Sequence, residues 1–329
     1  MDDIIITSKS AIAVKDTITS IKDKYLQLKI HEGLTHNYLG MVLHFTPTGA
    51  VHISQQGLIE KIAKTPGLTE LAALYGTSDS VPNTPAAEYL FSSSDLPGIT
   101  AQAHVKLIHS VTAKILFVAN RGRPDLLTLT KKVLSPTAED ARKLLRATAY
   151  LKSTAALDHR LSYTGVPKVH TYIDASFATH PNRRSHTGVY VTLGQGGMYT
   201  KSTMHKINTT SSCESEIVAL AKGMQQSLWA RNFLTGQGFP SLPVQVYQDN
   251  QAAIQLIERG RPAAEQTRHI DIGYYWVTDL ALRGHIAIEF CPTLAMVADF
   301  FTKPLQGALF LKLRSCILGH SDRPSTTPI

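Results

Sequence analysis

The order of secondary-structure patterns in the second half of the chain most limits the folds that it can adopt. Three strand-like segments come first, then a long segment with apolar residues three and four apart, and then strands that alternate with helices. These predicted elements lie at 169–178, 188–193, 198–202, 212–234, 244–247, 251–259, 270–283, 286–291 and from Leu294 onwards. A meander followed by alternating strands and helices predicts an α/β layer built on a mixed sheet.

The first half has a mainly helical periodicity after one predicted hairpin. The hairpin joins strand patterns at 38–45 and 50–54 through the turn sequence Thr46-Pro47-Thr48-Gly49. Residues 78–100 are rich in Ser, Pro, Thr and Asp, which predicts an exposed loop. The helical segments on either side of the turns include 105–119 and 137–151. A turn at Tyr163-Thr164-Gly165-Val166-Pro167 separates the two halves near residue 165.

Basic residues outnumber acidic ones, which favours a polyanionic partner. Lys and Arg total 33 against 25 Asp and Glu, and the sequence pI is about 9.3. The cysteines, Cys213, Cys291 and Cys316, are too few and too far apart for a disulfide framework or a zinc cluster. No apolar run approaches the roughly 20 residues that span a bilayer, and the acidic N-terminus lacks the basic flank of a signal peptide. The sequence therefore predicts an intracellular protein, cytoplasmic or nuclear, that is neither secreted nor membrane-bound.

Four acidic residues occupy positions where surface charge is uncommon. Asp174 interrupts an apolar strand, and a buried carboxylate is costly unless it is paired or binds a metal. Asp249 ends a strand, at the edge where α/β proteins place ligands. Glu216 lies on the packing face of its helix, and Asp299 lies within an apolar run. If the four converge, oxygen ligands alone favour Mg²⁺ or Mn²⁺ over zinc, and a two-metal phosphodiesterase site follows.

Each of these residues also has an ordinary structural interpretation when it is taken alone. Asp249 precedes Asn250 and suits a turn or a helix N-cap. Asp174 could be an internal hydrogen-bonded acid. Glu216 could be a charge on a helix surface, as is expected for its neighbour Glu214. Spacing alone therefore leaves the metal site and these alternatives open.

Short sequence words around these residues occur in a fixed order along the second half. They are Tyr172-Ile173-Asp174-Ala175-Ser176, Arg184-Ser185-His186-Thr187-Gly188, Ser211-Ser212-Cys213-Glu214-Ser215-Glu216, Asp249-Asn250-Gln251, Arg268-His269-Ile270-Asp271 and Ala298-Asp299-Phe300-Phe301-Thr302-Lys303-Pro304-Leu305. Through them this half resembles the ribonuclease H domain of copia-like retrotransposon polyproteins. The family often has an Asp-Trp pair where this chain has Ser176-Phe177. The resemblance implies a ribonuclease H-like mixed five-stranded sheet with flanking helices.

The resemblance also implies a role for each matched polar residue. The catalytic residues, which hold two Mg²⁺ ions or Mn²⁺ in their place, are Asp174, Glu216, Asp249 and Asp299. The predicted contacts to nucleic acid in this half are Ser176, Ser211, Ser212 and Asn250. Short polar side chains beside the metals suit recognition of the 2′-hydroxyl, the group that distinguishes RNA from DNA.

The first half resembles the end of the reverse transcriptase in the same polyproteins. Met1-Asp2-Asp3 matches the end of the Tyr-X-Asp-Asp polymerase motif, so Asp2 and Asp3 are interpreted as a polymerase remnant. Tyr38, Leu39 and Gly40 belong to a word that is similar to the primer-holding region, which predicts contacts to nucleic acid. Later words, Arg121-Gly122-Arg123-Pro124-Asp125 and Ala149-Tyr150-Leu151-Lys152, are similar to the thumb and tether. Because the fingers, most of the palm and its remaining aspartate would lie upstream of Met1, we expect no polymerase activity.

The sequence thus predicts three parts with one main activity. Residues 1–165 are a truncated reverse transcriptase, 166–305 a ribonuclease H domain and 306–329 a C-terminal tail. The predicted function is an endoribonuclease that cleaves the RNA strand of RNA–DNA hybrids, with the hybrid and other polyprotein products as partners. The alternative is a remnant without turnover, either an inactive nucleic-acid-binding module or the product of a decayed element.

Overall fold

The computed structural model describes residues 4–8, 10–25, 29–76, 81–91, 96–129, 135–260 and 271–324. Asp2 and Asp3, the predicted polymerase remnant, lie outside the described residues, as does most of the sequence word at 268–271. Within the described ranges, no helix combines the length and the apolar character needed to cross a membrane.

Ten α-helices and nine strands are described. The helices are α1 (Ala11–Lys24), α2 (Gln56–Ala63), α3 (Leu68–Tyr75), α4 (Gln102–Arg121), α5 (Ala138–Ser153), α6 (Ser212–Gly236), α7 (Gln251–Arg259), α8 (Asp271–Leu282), α9 (Asp299–Thr302) and α10 (Gly307–Ile317). The strands are β1 (Thr35–Tyr38), β2 (Met41–Phe45), β3 (Val51–Ser54), β4 (His159–Leu161), β5 (His170–Ser176), β6 (His186–Thr192), β7 (Tyr199–Met204), β8 (Val244–Gln248) and β9 (Ile286–Phe290). Short 3₁₀ helices lie at Pro124–Leu129 and Thr293–Ala295.

The first sheet has four antiparallel strands in the order β1-β2-β3-β4. It confirms the predicted hairpin, since Phe45 pairs with Val51 across the Thr46–Gly49 turn. A second, two-residue turn joins β1 to β2 through Leu39 at φ 48° and Gly40 at φ 77°. Positive φ at both central positions matches the right-handed twist of the flanking strands. The sequence did not indicate β4, which pairs with β3 although about a hundred residues separate them.

The second sheet has five strands in the order β7-β6-β5-β8-β9. β5, β6 and β7 form the predicted antiparallel meander, while β8 and β9 run parallel to β5. A central first strand, with an antiparallel meander on one side and parallel strands on the other, is the ribonuclease H-like sheet that the sequence resemblance implies. The fold class is therefore confirmed.

The two faces of the five-stranded sheet pack against different parts of the chain. One face packs on α6, whose Gly223 lets the helix approach so closely that a Cβ atom there would lie 2.5 Å from Ile173 Cδ1. The other face, with Tyr172 and Tyr190, joins a cluster of buried side chains from α2, α3, α4, α5 and α10. The turn near residue 165 therefore separates the two sheets, but the two halves of the chain share one hydrophobic core.

Two segments that were predicted to be exposed or terminal contribute to this shared core. Residues 78–100 were predicted to form an exposed loop, and this is wrong for Thr84 and Ala86, which are buried. The Thr84 hydroxyl donates to the Gln306 Oε1 atom at 2.8 Å, and the Gln306 amide donates to the Ala86 carbonyl at 2.8 Å. Residues 306–329, predicted to be a tail, include α10, which buries Phe310, Leu313, Cys316 and Ile317.

Candidate metal centre

Three of the predicted carboxylates meet at the carboxyl ends of β5 and β8. Tyr172 pairs with Tyr247 in the parallel register of these strands, so Asp174 and Asp249 each lie two residues further along. Glu216 reaches the same place from the first turns of α6. One carboxylate oxygen from each of the three lies within 4.8 Å of the others. The structure therefore brings together residues that are 75 positions apart in the sequence.

Glu216 is held in this position by both of its oxygens. The Ala175 backbone N–H donates to Oε1 at 3.2 Å, and the Gln248 amide donates to Oε2 at 3.1 Å. Gln248 is itself fully buried, and its Oε1 atom accepts from the backbone N–H groups of Asp249 and Asn250 at 2.8 and 2.9 Å. The Gln248 side chain thus links Glu216 on α6 to the end of β8, where Asp249 lies.

Asp299 approaches the three carboxylates from the start of α9. Its Oδ1 atom accepts a hydrogen bond from Lys303 Nζ at 2.9 Å, one helical turn away. Thr302, in the same turn, donates its hydroxyl to Asp174 Oδ2. Asp299 is not in the group of three that share the 4.8 Å limit, but the charges of Asp174 and Asp249 act on it. The structure therefore places the fourth predicted ligand beside the other three.

Burial and mutual repulsion raise the pKa values of three of these carboxyls. Burial is the largest cause for Glu216, and the negative charges of Asp174 and Asp249 add to it. The pKa of Asp249 is raised by burial and then by Asp174. The same two causes raise the pKa of Asp299 to about 7, although Lys303 opposes them. A cluster of this kind is stabilised by a bound cation, because the cation offsets the repulsion.

Gly188 allows α9 to reach the sheet. It pairs with Asp174 across β5 and β6, and a Cβ atom at this position would lie 2.5 Å from the Ala298 carbonyl oxygen and 3.0 Å from Phe301 Cβ. Real Cβ atoms essentially never lie 2.5 Å from a backbone oxygen, so α9 would have to move away. The glycine in the word Arg184–Gly188 therefore has a packing role next to the site.

We expect Gly188→Ala to lower the free energy of unfolding by about 1 to 3 kcal/mol, the usual cost of overpacking a core. Urea denaturation followed by circular dichroism measures this change. Gly236→Ala is the matched control, because nothing lies within 4 Å of the added methyl group at the end of α6. The control should leave stability unchanged or raise it by up to about 1 kcal/mol. Equal effects of the two variants would contradict the packing role of Gly188.

We also expect Gln248→Met to weaken Mg²⁺ binding by about 10- to 100-fold, the usual effect of removing a residue that orients a metal ligand. Gln245→Met is the matched control. Gln245 lies on the same strand and is equally buried, but it bonds to Lys168 and to the Ala287 carbonyl. Isothermal titration calorimetry with Mg²⁺ should show weaker binding only for the Gln248 variant. The same loss in both variants would mean that the effect comes from general damage to β8.

The predicted nucleic-acid contacts in the second half flank the carboxylates, and two of them cap helices. Ser211 accepts from the Glu214 backbone N–H at 3.1 Å as the N-cap of α6. Asn250 accepts from the Ala253 backbone N–H at 3.1 Å as the N-cap of α7. Ser212 is exposed in the first turn of α6, and Ser176 ends β5 with its hydroxyl against Thr179. The contact of these side chains with nucleic acid remains a prediction.

The predicted contacts in the first half lie on the other sheet. Tyr38 ends β1, and Leu39 and Gly40 form the turn that follows. The Leu39 side chain is 45% exposed, so it is available to a partner. The structure does not bring these residues into the carboxylate cluster.

Sequence reasoning assigned no role to Gln248, Lys303 or Thr302. Gln248 lies at the end of an apolar strand, directly before the predicted ligand Asp249, and this position was one available indication of its role. The spacing of four between Asp299 and Lys303 was another, because side chains at that spacing meet on a helix. Nothing in the sequence indicated that Thr302 would contact Asp174, since 128 residues separate them.

Known proteins with similar sequences are transposon products, although no family model matches the chain. The chain is 23% identical over 332 residues to the retrovirus-related Pol polyprotein from transposon TNT 1-94 of Nicotiana tabacum, a match that covers 94% of this chain and 24% of that polyprotein. It is 26% identical over 238 residues to a transposon Ty5-1 protein of Saccharomyces cerevisiae, covering 69% of this chain and 71% of that protein. The chain is therefore similar to retrotransposon Pol polyproteins over most of its length.

Part of the chain also matches a protein that is not described as a transposon product. It is 30% identical over 126 residues to secreted RxLR effector protein 161 of Plasmopara viticola, a match that covers 36% of this chain and 88% of that protein. The chain spans only about a quarter of the tobacco Pol polyprotein's length. The activities of the whole polyprotein are therefore not carried over to it.

Solved structures with a similar arrangement include reverse transcriptases and ribonucleases H. The match to the foamy viral protease-reverse transcriptase in complex with RNA/DNA hybrid covers 88% of this chain and 34% of the viral protein, at 14% identity and a TM-score of 0.44. A second match is to the N-terminal RNase H domain of a Mycobacterium tuberculosis protein, solved as a fusion with maltose binding protein. It covers 41% of this chain and 91% of the solved chain, at 14% identity and a TM-score of 0.30.

Proposed function

We propose that this chain is a ribonuclease H, a hydrolase that cleaves the RNA strand of RNA–DNA hybrids. The observation that carries the proposal is the convergence of Asp174, Glu216 and Asp249 within 4.8 Å at the carboxyl end of a ribonuclease H-like sheet. Asp299 stands beside them and completes the predicted set of four. The similarity to transposon Pol polyproteins supports a role in retrotransposon replication, where such hybrids arise.

The donor set fits Mg²⁺ or Mn²⁺. All of the clustered groups offer carboxylate oxygens, the ligands that hard divalent cations prefer, and among the described residues no histidine or cysteine joins the cluster. The raised pKa values of Glu216, Asp249 and Asp299 point the same way, because repulsion between the carboxylates favours occupation by cations. The chemistry that two such ions supply when bound is activation of a water molecule and stabilisation of the leaving oxygen.

The side chains of this chain set up the site in three ways. Gln248 and the Ala175 N–H fix the orientation of Glu216. Lys303 neutralises Asp299, so that this carboxylate can remain close to the other three. Asn250 uses its Oδ1 atom as a helix cap, which leaves its amide N–H₂ group to donate to a phosphate or a 2′-hydroxyl of the hybrid.

The test is cleavage of a substrate panel by the purified chain. Four duplexes of one sequence are compared in Mg²⁺: the hybrid labelled on RNA, the hybrid labelled on DNA, duplex DNA and duplex RNA. We expect Mg²⁺-dependent cleavage of the RNA strand in the hybrid alone, and no cleavage in EDTA. Salt-sensitive binding of the hybrid without cleavage would contradict the proposal and favour a nucleic-acid-binding module without turnover.

A further inference from the structure

A second polar site lies away from the carboxylates, in a cavity of about 270 Å³ between α5 and the segment at 82–90. One wall carries three cationic side chains, Arg142, Lys143 and Arg146. The covering segment adds apolar side chains to the lining, including Pro82, Pro85 and Tyr89. The cavity thus combines charged and apolar side chains. We call it the α5 cavity.

The cations face the α5 cavity together because of their spacing on the helix. Arg142 and Arg146 are four residues apart, and Lys143 and Arg146 are three apart, so the three side chains lie on one side of α5. Within the part of the chain that the structure describes, Glu139 is the one carboxylate in the lining, and it pairs with Arg142 at 3.3 Å. The cavity therefore keeps an excess of positive charge.

Each cation has hydrogen-bond donors beyond those that hold the covering segment. Arg142 Nε donates to the Tyr75 carbonyl at 3.0 Å, and Lys143 Nζ donates to the Leu90 carbonyl at 3.2 Å. Arg146 donates to the Thr84 hydroxyl at 2.9 Å, while its Nε atom is buried and has no acceptor among the described residues. An unpaired buried donor costs free energy, so an acceptor at this position would stabilise it.

We propose that the α5 cavity binds a phosphate group. Guanidinium groups match the oxygens of a phosphate with paired donors, and a lysine adds a point charge. The formal net charge of +8 indicates a polyanionic partner, so the phosphate belongs to a nucleic-acid backbone or to a free phosphate compound. The nucleic-acid source rests on the proposed function, whereas phosphate binding itself does not.

The covering segment gives the cavity a fixed shape. The Thr84 hydroxyl accepts from Arg146, and its one hydrogen has two acceptors within reach, the Ala86 carbonyl and Gln306 Oε1. Gln306 precedes α10 and follows Lys303 by three residues. Hydrogen bonds therefore connect the wall of the α5 cavity to the segment that carries Lys303 of the carboxylate cluster.

The test is the salt dependence of binding, measured by fluorescence anisotropy with a labelled RNA–DNA hybrid in EDTA, where cleavage does not occur. Inorganic phosphate and pyrophosphate are titrated separately by calorimetry. The test variant is Arg142→Gln with Lys143→Gln, which keeps Arg146 and its bond to Thr84. Lys152→Gln, an exposed lysine at the end of the same helix, is the matched control. Circular dichroism confirms that both variants fold.

If the hybrid supplies the phosphate, the double variant lowers the slope of log K against log[salt] by about one to two, and Lys152→Gln changes it less. If a free phosphate compound is the ligand, phosphate or pyrophosphate binds the wild-type chain and not the double variant, while hybrid binding is unchanged. Unchanged binding of all three ligands by the double variant would overturn the proposal. Because no step requires cleavage, an inactive metal centre would leave these outcomes unaffected.

Discussion

Asp174→Asn is expected to reduce the rate of hybrid cleavage by about 10²-fold or more. Without divalent ions, the free energy of unfolding of the variant should be at least that of the wild type. The rate falls because the substitution removes a charged metal ligand, and metal stabilisation of the transition state contributes several kcal/mol. Stability is kept because the asparagine side chain has the same size and can still accept the hydrogen bond from Thr302. Removing the Asp174 charge also lessens the repulsion on Glu216, Asp249 and Asp299.

Two measurements separate this result from simple damage to the protein. Saturating Mg²⁺ should stabilise the wild-type chain by about 2.7 kcal/mol at a hundred times its dissociation constant, and should stabilise the Asp174 variant much less. Asp279→Asn is the control, since it removes an exposed carboxylate that pairs with Arg283 on α8. The control should keep both the cleavage rate and the response to Mg²⁺. Normal cleavage by Asp174→Asn would contradict the site assignment.

Asp125→Ala is expected to destabilise the whole chain by about 3 to 5 kcal/mol, the usual cost of leaving one charge of a buried ion pair without its partner. Arg123 donates from Nε and Nη2 to the two oxygens of Asp125 at 2.9 and 2.8 Å, and both residues are almost fully buried. Tyr150 donates its hydroxyl to the same carboxylate at 2.7 Å, and Arg314 of α10 donates to Tyr150 at 3.1 Å.

The electrostatics of Asp125 agree with a strong pairing. Burial alone would raise the pKa of its carboxyl, but the charge and hydrogen bonds of Arg123 outweigh burial and hold the pKa below the usual range. The network also joins the first half of the chain to α10, so its loss should affect both sheets. In Asp125→Ala, probes in either half of the chain should report a single thermal unfolding transition at a lower temperature than in the wild type.

The matched comparison for this pair is the exposed pair of Arg283 with Asp279, four residues apart on α8. Asp279→Ala should change stability by less than about 1 kcal/mol, because solvent screens exposed ion pairs. The double variant Arg123→Met with Asp125→Leu should recover much of the loss, since it removes both charges together. A small effect of Asp125→Ala, similar to that of Asp279→Ala, would contradict the structural importance of the buried network.

Local patterns predicted much of the secondary structure and singled out candidate carboxylates, whereas the full set of four was assigned by the resemblance. The periodicity of apolar residues placed α4, α5 and α6 to within a few residues, and a turn sequence predicted the β2–β3 hairpin. Asp174 and Asp249 stood out because a carboxylate in or after an apolar strand needs a partner. These features are local, so a single sequence contains them.

Contacts between distant segments were not predictable in the same way. The pairing of β3 with β4 and the burial of Thr84 against Gln306 depend on residues that are one to two hundred positions apart. Polar composition suggested an exposed loop at 78–100, but tertiary hydrogen bonds satisfy the Thr84 side chain and allow its burial. The word Arg121–Asp125 was noticed only for its resemblance, while the buried pair of Arg123 and Asp125 became evident only in the structure.

The carboxylates at the ends of β5 and β8 are proposed to form a divalent metal centre. Anomalous diffraction from crystals grown with Mn²⁺ and an uncleavable RNA–DNA hybrid tests this proposal most directly. We predict anomalous peaks in contact with the carboxylate oxygens of Asp174, Glu216 and Asp249, with Asp299 beside them and the RNA strand over the site. Absence of any Mn²⁺ peak at these carboxylates, at a concentration that supports cleavage, would contradict the account.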